Sequence, residues 1–229
     1  MTMTAAIAVS PLRQAVEVGR TELRVEARAG EVLWVITPFG AVALLLVPMA
    51  VGTDRPLLAQ LGVGMYWLVV LLFGVLTTLR QSGTDSPEQL AVLRLSGLPP
   101  AARLVGRAAA NTVVLLVFEL VLAPVAFVLY QPDVSGWAWA VPVLPLMAAG
   151  LGALGTLAGA VAAGLAGRSA LGPLLVCPVA LPLLLAATQV SQASIYGREA
   201  WSWLLMVVTI DLIGWLTLVL SARALEELA

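Results

Sequence analysis

Six apolar stretches, each near the ~20 residues that a helix needs to cross a bilayer, constrain this chain more than any other feature. They cover residues 32–51, 61–79, 108–130, 138–167, 169–190 and 200–222. A bilayer core offers no water to unpaired N–H and C=O groups, so a spanning segment must satisfy its backbone internally. Segments of this length do so as α-helices. The chain is 61% hydrophobic and only 11% charged, whereas soluble domains carry roughly 25% charged residues. The expected fold is therefore an all-α polytopic membrane protein with six transmembrane helices. The fourth stretch is long, and its early Pro142 and Pro145 make its start a candidate for a separate outer segment.

Arginine placement sets the orientation. All twelve basic residues are Arg, and cytoplasmic loops carry the excess of basic residues. With the N-terminus inside, Arg13, Arg20, Arg24, Arg28, Arg80, Arg94, Arg103, Arg107, Arg168 and Arg223 fall on the cytoplasmic side. Only Arg55 and Arg198 fall outside. The bias predicts a multi-pass cell (inner) membrane protein with both termini in the cytoplasm. The expected units are a tail over 1–10, a charged helix over 11–31, a transmembrane unit over 32–222 and a tail over 223–229. Residues 1–10 lack the basic n-region and long apolar core of a secretory signal.

The longest polar interruption is 80–107, RQSGTDSPEQLAVLRLSGLPPAARLVGR. Ser86 suits an N-cap, and Pro87 suits the first helical position. Gln89, three residues after Ser86, completes a capping-box pattern. A short helix through Leu90, Leu93 and Arg94 would stop at Ser96-Gly97. It is too short to be stable alone in water, so it must lie on a surface. The reading is a coupling helix that docks on a cytosolic motor subunit through Asp85, Ser86, Glu88, Gln89, Leu90, Leu93 and Arg94.

Residues 11–31 carry helical period. Leu12, Val16, Leu23 and Ala27 form an apolar stripe between charged faces. The segment is expected to lie in the membrane interface with Arg20, Arg24 and Arg28 toward anionic headgroups. Trp137, Trp139, Trp201 and Trp203 sit at the outer ends of spans, as in an aromatic belt. Gly155, Gly159, Ala163 and Gly167 recur every four residues. They form a helix-packing face, either inside the bundle or between two copies. The segment with Pro173, Pro178 and Pro182 is a candidate for a bent, mobile element or a fixed kink. Cys177 reads as a small apolar packer.

Two acids, Glu119 and Asp211, fall near mid-span. Intramembrane acids are expensive and mark functional sites by default. Three readings stay open. They relay protons; they pair with polar neighbours (Asn111 for Glu119, Thr209 or Thr217 for Asp211); or they are protonated and hydrogen-bonded.

Composition also excludes chemistry. With no His and one Cys, the usual Zn ligand set and a Ser–His–Asp triad are unavailable. With no Lys, the P-loop signature is absent. No catalytic residue or metal site is expected. The chain reads as no enzyme by itself, and any ATP hydrolysis belongs to a partner.

The ordered features have a familiar pattern. A charged N-terminal helix precedes two spans, and a polar loop carries Asp85, Glu88-Gln89-Leu90 and Leu98-Pro99. Gly106-Arg107 opens the third span, which contains Pro124. Gly155, Leu157 and Ala158 lie in a Gly-rich span ending at Arg168. Leu174-Leu175, Pro178, Pro182 and Leu183-Leu184 punctuate the fifth. This pattern resembles the CcmB family, the membrane subunits of the cytochrome c maturation ABC transporter. The likeness runs from about residue 12 to residue 222. Pro87 stands where an aliphatic residue is usual and Arg107 where Lys is common, and Glu119 lies outside the pattern.

The resemblance implies an ABC-2-like permease in a haem-handling complex. Its partners would be a cytosolic CcmA-like ATPase holding ATP and Mg, a CcmC-like haem-handling subunit, a small D subunit and a second copy of this chain. Haem would be cargo of the complex, and no nucleic acid is implied. ATP hydrolysis would be tied to haem transfer or to release of the haem chaperone. The absence of His argues against a His-ligated haem on this chain, although Met and Tyr also ligate haem iron. The competing readings are an ABC-2-type permease for another hydrophobic compound, a proton-coupled carrier using Glu119 and Asp211, and a membrane scaffold.

Overall fold

The computed structural model describes residues 10–52, 54–133 except 83–97, 137–193 except 165–170, and 196–228, with side chains of the third helix described as far as Thr78. Among these residues every regular element is a helix. α1 runs Pro11–Ala29, and a π-helical turn, Val32–Ile36, leads into α2, Thr37–Val51. Next come α3, Arg55–Ser82; α4, Pro100–Tyr130; and α5, Trp137–Gly164. α6, Leu171–Gln192, and α7, Ala200–Leu228, complete the bundle. Five segments are long and apolar enough to cross a membrane: Val32–Val51, Arg55–Thr78, Pro100–Tyr130, Ala138–Ala162 and Ala200–Ala224. The fifth predicted span is the shorter apolar helix Val176–Gln192 within α6.

Several element boundaries differ from the sequence reading. α3 begins at Arg55 and α4 at Pro100, because both helices continue past the apolar core into polar residues. The start of the fourth span is no separate segment. Pro142 and Pro145 lie inside one continuous α5, and Pro178 and Pro182 lie inside one continuous α6. A membrane helix tolerates such residues where neighbouring helices and local adjustments satisfy the freed backbone groups. Cys177, expected to pack inward, is exposed.

α4 packs against α1, α2, α3, α5 and α7, and its main partner α5 packs in turn against α3, α6 and α7. The small residues of α5 make this possible. A Cβ on Gly152 would meet the Thr112 amide nitrogen at 3.0 Å and the Ala108 carbonyl at 3.1 Å, and one on Gly155 would collide with the Thr78 side chain. Gly155 and the buried Gly159 therefore belong to packing within the bundle. Lipid supplies no hydrophobic drive between helices, so close backbone approach and dispersion hold them together. Gly167 lies outside the described residues.

One proline is patched by a hydroxyl from another helix. Pro48 has no N–H for the carbonyl of Leu44, and the buried Tyr130 hydroxyl donates to that oxygen at 2.8 Å. Pro124 likewise leaves the Leu120 carbonyl without its amide partner. One residue away, the Tyr66 hydroxyl donates to the Glu119 carbonyl at 2.9 Å. Such bonds tie α2 to α4 and α3 to α4 inside the apolar core.

Candidate functional site

The middle of α1 and the end of α7 each pack against the start of α4. Leu104 and Ala108 of α4 pack with Leu218 and Ala222 of α7, with Leu157 and Val161 of α5 beside them. α1 lies against the start of α4. This end of the bundle gathers Arg13, Arg20, Arg24 and Arg28 of α1, Arg103 and Arg107 of α4, and Arg223 of α7.

The docking of α1 rests on two glycines and an ion pair. A Cβ on Gly19 would stand 3.0 Å from the Gly106 carbonyl oxygen, and one on Gly106 would meet Ala15 and Val18. Glycine inside a helix costs stability relative to alanine, and here it permits backbone-to-backbone contact. One residue on, Arg107 Nε and Nη2 donate to Glu22 Oε1 at 3.3 and 3.1 Å. Arg107 is largely buried and Glu22 half-buried.

The docked face of α1 is Ala15, Gly19, Glu22 and Leu23, which only partly coincides with the predicted stripe. Leu12 is 78% and Val16 52% exposed, while Leu23 packs on the core. At about 100° per residue, Val16 and Ala27 stand roughly a quarter turn from the centre of the docked face, whereas Leu12 lies within its arc. α1 thus has one side for α4 and an adjoining apolar side left free. Arg20 pairs with Glu17 at 3.3 Å along the helix. Arg24 and Arg28 are exposed.

The predicted coupling residues Asp85, Ser86, Glu88, Gln89, Leu90, Leu93 and Arg94 lie outside the described residues, as does Arg168. Their flanks are described: Leu98 and Pro99 lead straight into α4. Of the predicted tryptophan belt, Trp201 is 59% exposed, whereas Trp139 and Trp203 are partly buried against the core. The side chain of Trp137 is outside the described set. Trp67, unremarked in the sequence, is buried and donates its indole N–H to Ser191 Oγ at 3.2 Å. Trp34, near the α1 end, is 81% exposed.

The two mid-span acids are buried, Glu119 at 0% and Asp211 at 6% exposure. None of their four carboxyl oxygens has a hydrogen-bond partner among the described residues. The expected polar pairings do not form. Asn111 Nδ2 instead donates to Thr156 Oγ1 at 2.9 Å, and Thr209 donates to the Leu205 carbonyl within its own helix. Ser221, not Asp211, bonds at Thr217, donating to its carbonyl. Asp211 Oδ1 sits over Gly150 of α5, beside Leu183 of α6. No cluster of three or more His, Cys, Asp or Glu side chains occurs among the described residues.

Sequence reasoning missed the Glu22–Arg107 pair and the two interhelical tyrosine bonds. The signal for the first was present: Gly19 interrupts an otherwise good helix former, and Gly106 sits beside Arg107. The tyrosine partners are 86 and 53 residues away, and no local pattern points that far.

Residues 13–226 match the family model described as CcmB protein. The chain belongs to the CcmB family. It is 31% identical over 183 residues to a heme exporter protein B of Bradyrhizobium diazoefficiens, covering 78% of this chain and 81% of that one. It is 29% identical over 165 residues to that of Rhodobacter capsulatus, covering 72% and 76%. With that of Paracoccus denitrificans it shares 27% identity over 192 residues, covering 83% and 88%. The matched span of this CcmB-family chain takes in α1, both mid-span acids and segment 80–107.

Proposed function

We propose that this chain is the membrane subunit of an ABC transporter complex that handles haem in cytochrome c maturation. The observation that carries the reading is its similarity, over most of both chains, to proteins named heme exporter protein B. ATP hydrolysis resides on a separate CcmA-like ATPase, which docks on 80–107 through Asp85, Ser86, Glu88, Gln89, Leu90, Leu93 and Arg94. CcmC-like and CcmD-like subunits handle haem beside it, and haem is cargo rather than a group held by this chain. Six spans place both termini in the cytoplasm of the inner membrane. In support, α1 and the end of α7 both pack on the start of α4 at the arginine-rich end, and basic residues favour the cytoplasmic face. The free apolar side of α1, bordered by arginines, lies in the interface.

The chain transmits motion. A stiff helix, Pro100–Tyr130, begins within segment 80–107, six residues after Arg94, and carries a push on it into the bundle. The test is gentle purification of the tagged full-length chain from its native membrane. An ABC ATPase and a haem-binding membrane partner should co-purify. Glu88→Arg or Leu90→Asp should abolish ATPase recovery while leaving membrane insertion intact. Recovery of the ATPase at wild-type levels by both variants would overturn the docking reading.

A further inference from the structure

α1 is fixed to the rest of the chain at two places, and these belong to different helices. The first is the start of α4, through the Gly19–Gly106 backbone contact and the Glu22–Arg107 pair. The second is the start of α2. Gly30 closes α1 in a left-handed conformation, φ 63°, and its N–H bonds the Glu26 carbonyl at 2.7 Å. Left-handed backbone of this kind favours glycine. Glu26 Oε1 then accepts the Val32 amide at 2.9 Å. Trp34 donates its amide to the Gly30 carbonyl at 2.8 Å, and its indole lies where a Cβ on Gly30 would stand. The connection therefore has little slack. Thr37 Oγ1 closes the π-turn on the Val32 carbonyl at 2.8 Å.

A helix of 19 residues is about 28 Å long. It is stiff on that scale, and one of its two attachments is backbone on backbone. Close-packed contacts transmit displacement instead of absorbing it. The attachment on α4 is at Gly106 and Arg107, within the first two turns or so of that helix.

We infer that α1 is a strut that carries displacement of the start of α4 to the start of α2. This rests on the reading above, in which an ATPase pushes on 80–107. A push there moves α4 directly; α2 feels it through its own packing on α4 and, at the arginine-rich end, through α1, without passing through α3. Glu22 and Arg107 are then positioning residues, and Gly30 is the joint that keeps the strut rigid against α2. The free apolar side of α1 keeps this motion along the membrane surface.

The test uses the full-length chain in its native complex, with two kinds of variant. Glu22→Arg and Arg107→Glu break the attachment to α4, and the double exchange restores opposite charges. Insertion of a flexible glycine tract between Gly30 and Glu31 leaves the α4 attachment intact and frees α1 from α2. ATPase recovery and ATP turnover are measured for each in lipid nanodiscs, against turnover of the free ATPase. The expected result is wild-type recovery of the ATPase with about fivefold or greater loss of permease-dependent turnover. The double exchange should regain turnover, and the insertion should not. Wild-type turnover in the insertion variant overturns the strut, and that variant decides the question if the charge reversals fail to fold. Failure of the wild-type chain to recover any ATPase overturns the parent reading, and the strut with it.

Discussion

Replacing Tyr130 with Phe removes one oxygen from the core and leaves the ring packing in place. The ring fills the space beside Gly62, where a Cβ would stand 3.0 Å from the ring carbon Cγ. What is lost is the 2.8 Å bond to the Leu44 carbonyl. That oxygen lies on a fully buried residue and has no amide four residues on, because position 48 is proline. A net neutral hydrogen bond contributes about 1 kcal/mol, and an orphaned buried acceptor costs about 1–3 kcal/mol. Interhelical bonds in membranes average about 0.6 kcal/mol, because alternative partners exist. An acceptor without its helical amide belongs near the top of that range, so the expected loss is about 1–1.5 kcal/mol. The Pro48→Ala background separates this account from simple loss of a contact. Alanine restores the amide that can bond Leu44, and the cost of Tyr130→Phe should there fall to about 0.5 kcal/mol or less. Reversible unfolding in mixed detergent–SDS micelles, followed by tryptophan fluorescence, gives all four stabilities of the cycle. Equal costs in the two backgrounds would refute the reasoning.

Three further outcomes follow from the packing. Gly150→Ala places a methyl group against Asp211 Oδ1 and, at 2.8 Å, Leu183 Cδ2; it should destabilise by about 1–3 kcal/mol, and Asp211→Ala should recover part of that in the same unfolding assay. Glu119→Met removes two unpartnered buried oxygens and should stabilise the purified chain by about 1–3 kcal/mol. A stabilised Glu119→Met complex with reduced ATP turnover would assign the acid to mechanism, and a destabilised one would mean that the carboxyl has a partner. Trp67→Phe deletes the bond to Ser191 and should cost about 0.6 kcal/mol from that bond, plus a term for the lost ring volume; Ser191→Ala in the Trp67→Phe background should then add almost nothing.

The candidate site was legible in part, and the particular residues show why. The apolar first span, residues 32–51, matches the segment Val32–Val51, because apolar length is a local property that a bilayer reads directly. The Gly-rich face was also legible, since small residues at a fixed spacing have one main use in a membrane helix. Its direction was not. Only the packing shows Gly155 against Thr78 of α3. The mid-span acids were legible as positions, but the expected polar neighbours pair elsewhere. Side-chain partners depend on helix rotation, which apolar spans hardly constrain.

The sequence by itself determined that the chain is helical and membrane-bound, where most of its apolar segments fall, and which residues break the apolar pattern. These follow from the energetics of backbone and charge in lipid, which act residue by residue. Tertiary structure alone decided that α4 and α5 form the centre of the bundle, that Tyr130 serves a carbonyl of α2, and that α1 bridges α4 and α2. Each depends on which helix faces which, and that is set by close approach at Gly19, Gly106, Gly152 and Gly155. In a bilayer every apolar side chain is equally at home against lipid or protein. The choice among neighbours therefore rests on the few places where backbones can touch or a polar group must be matched.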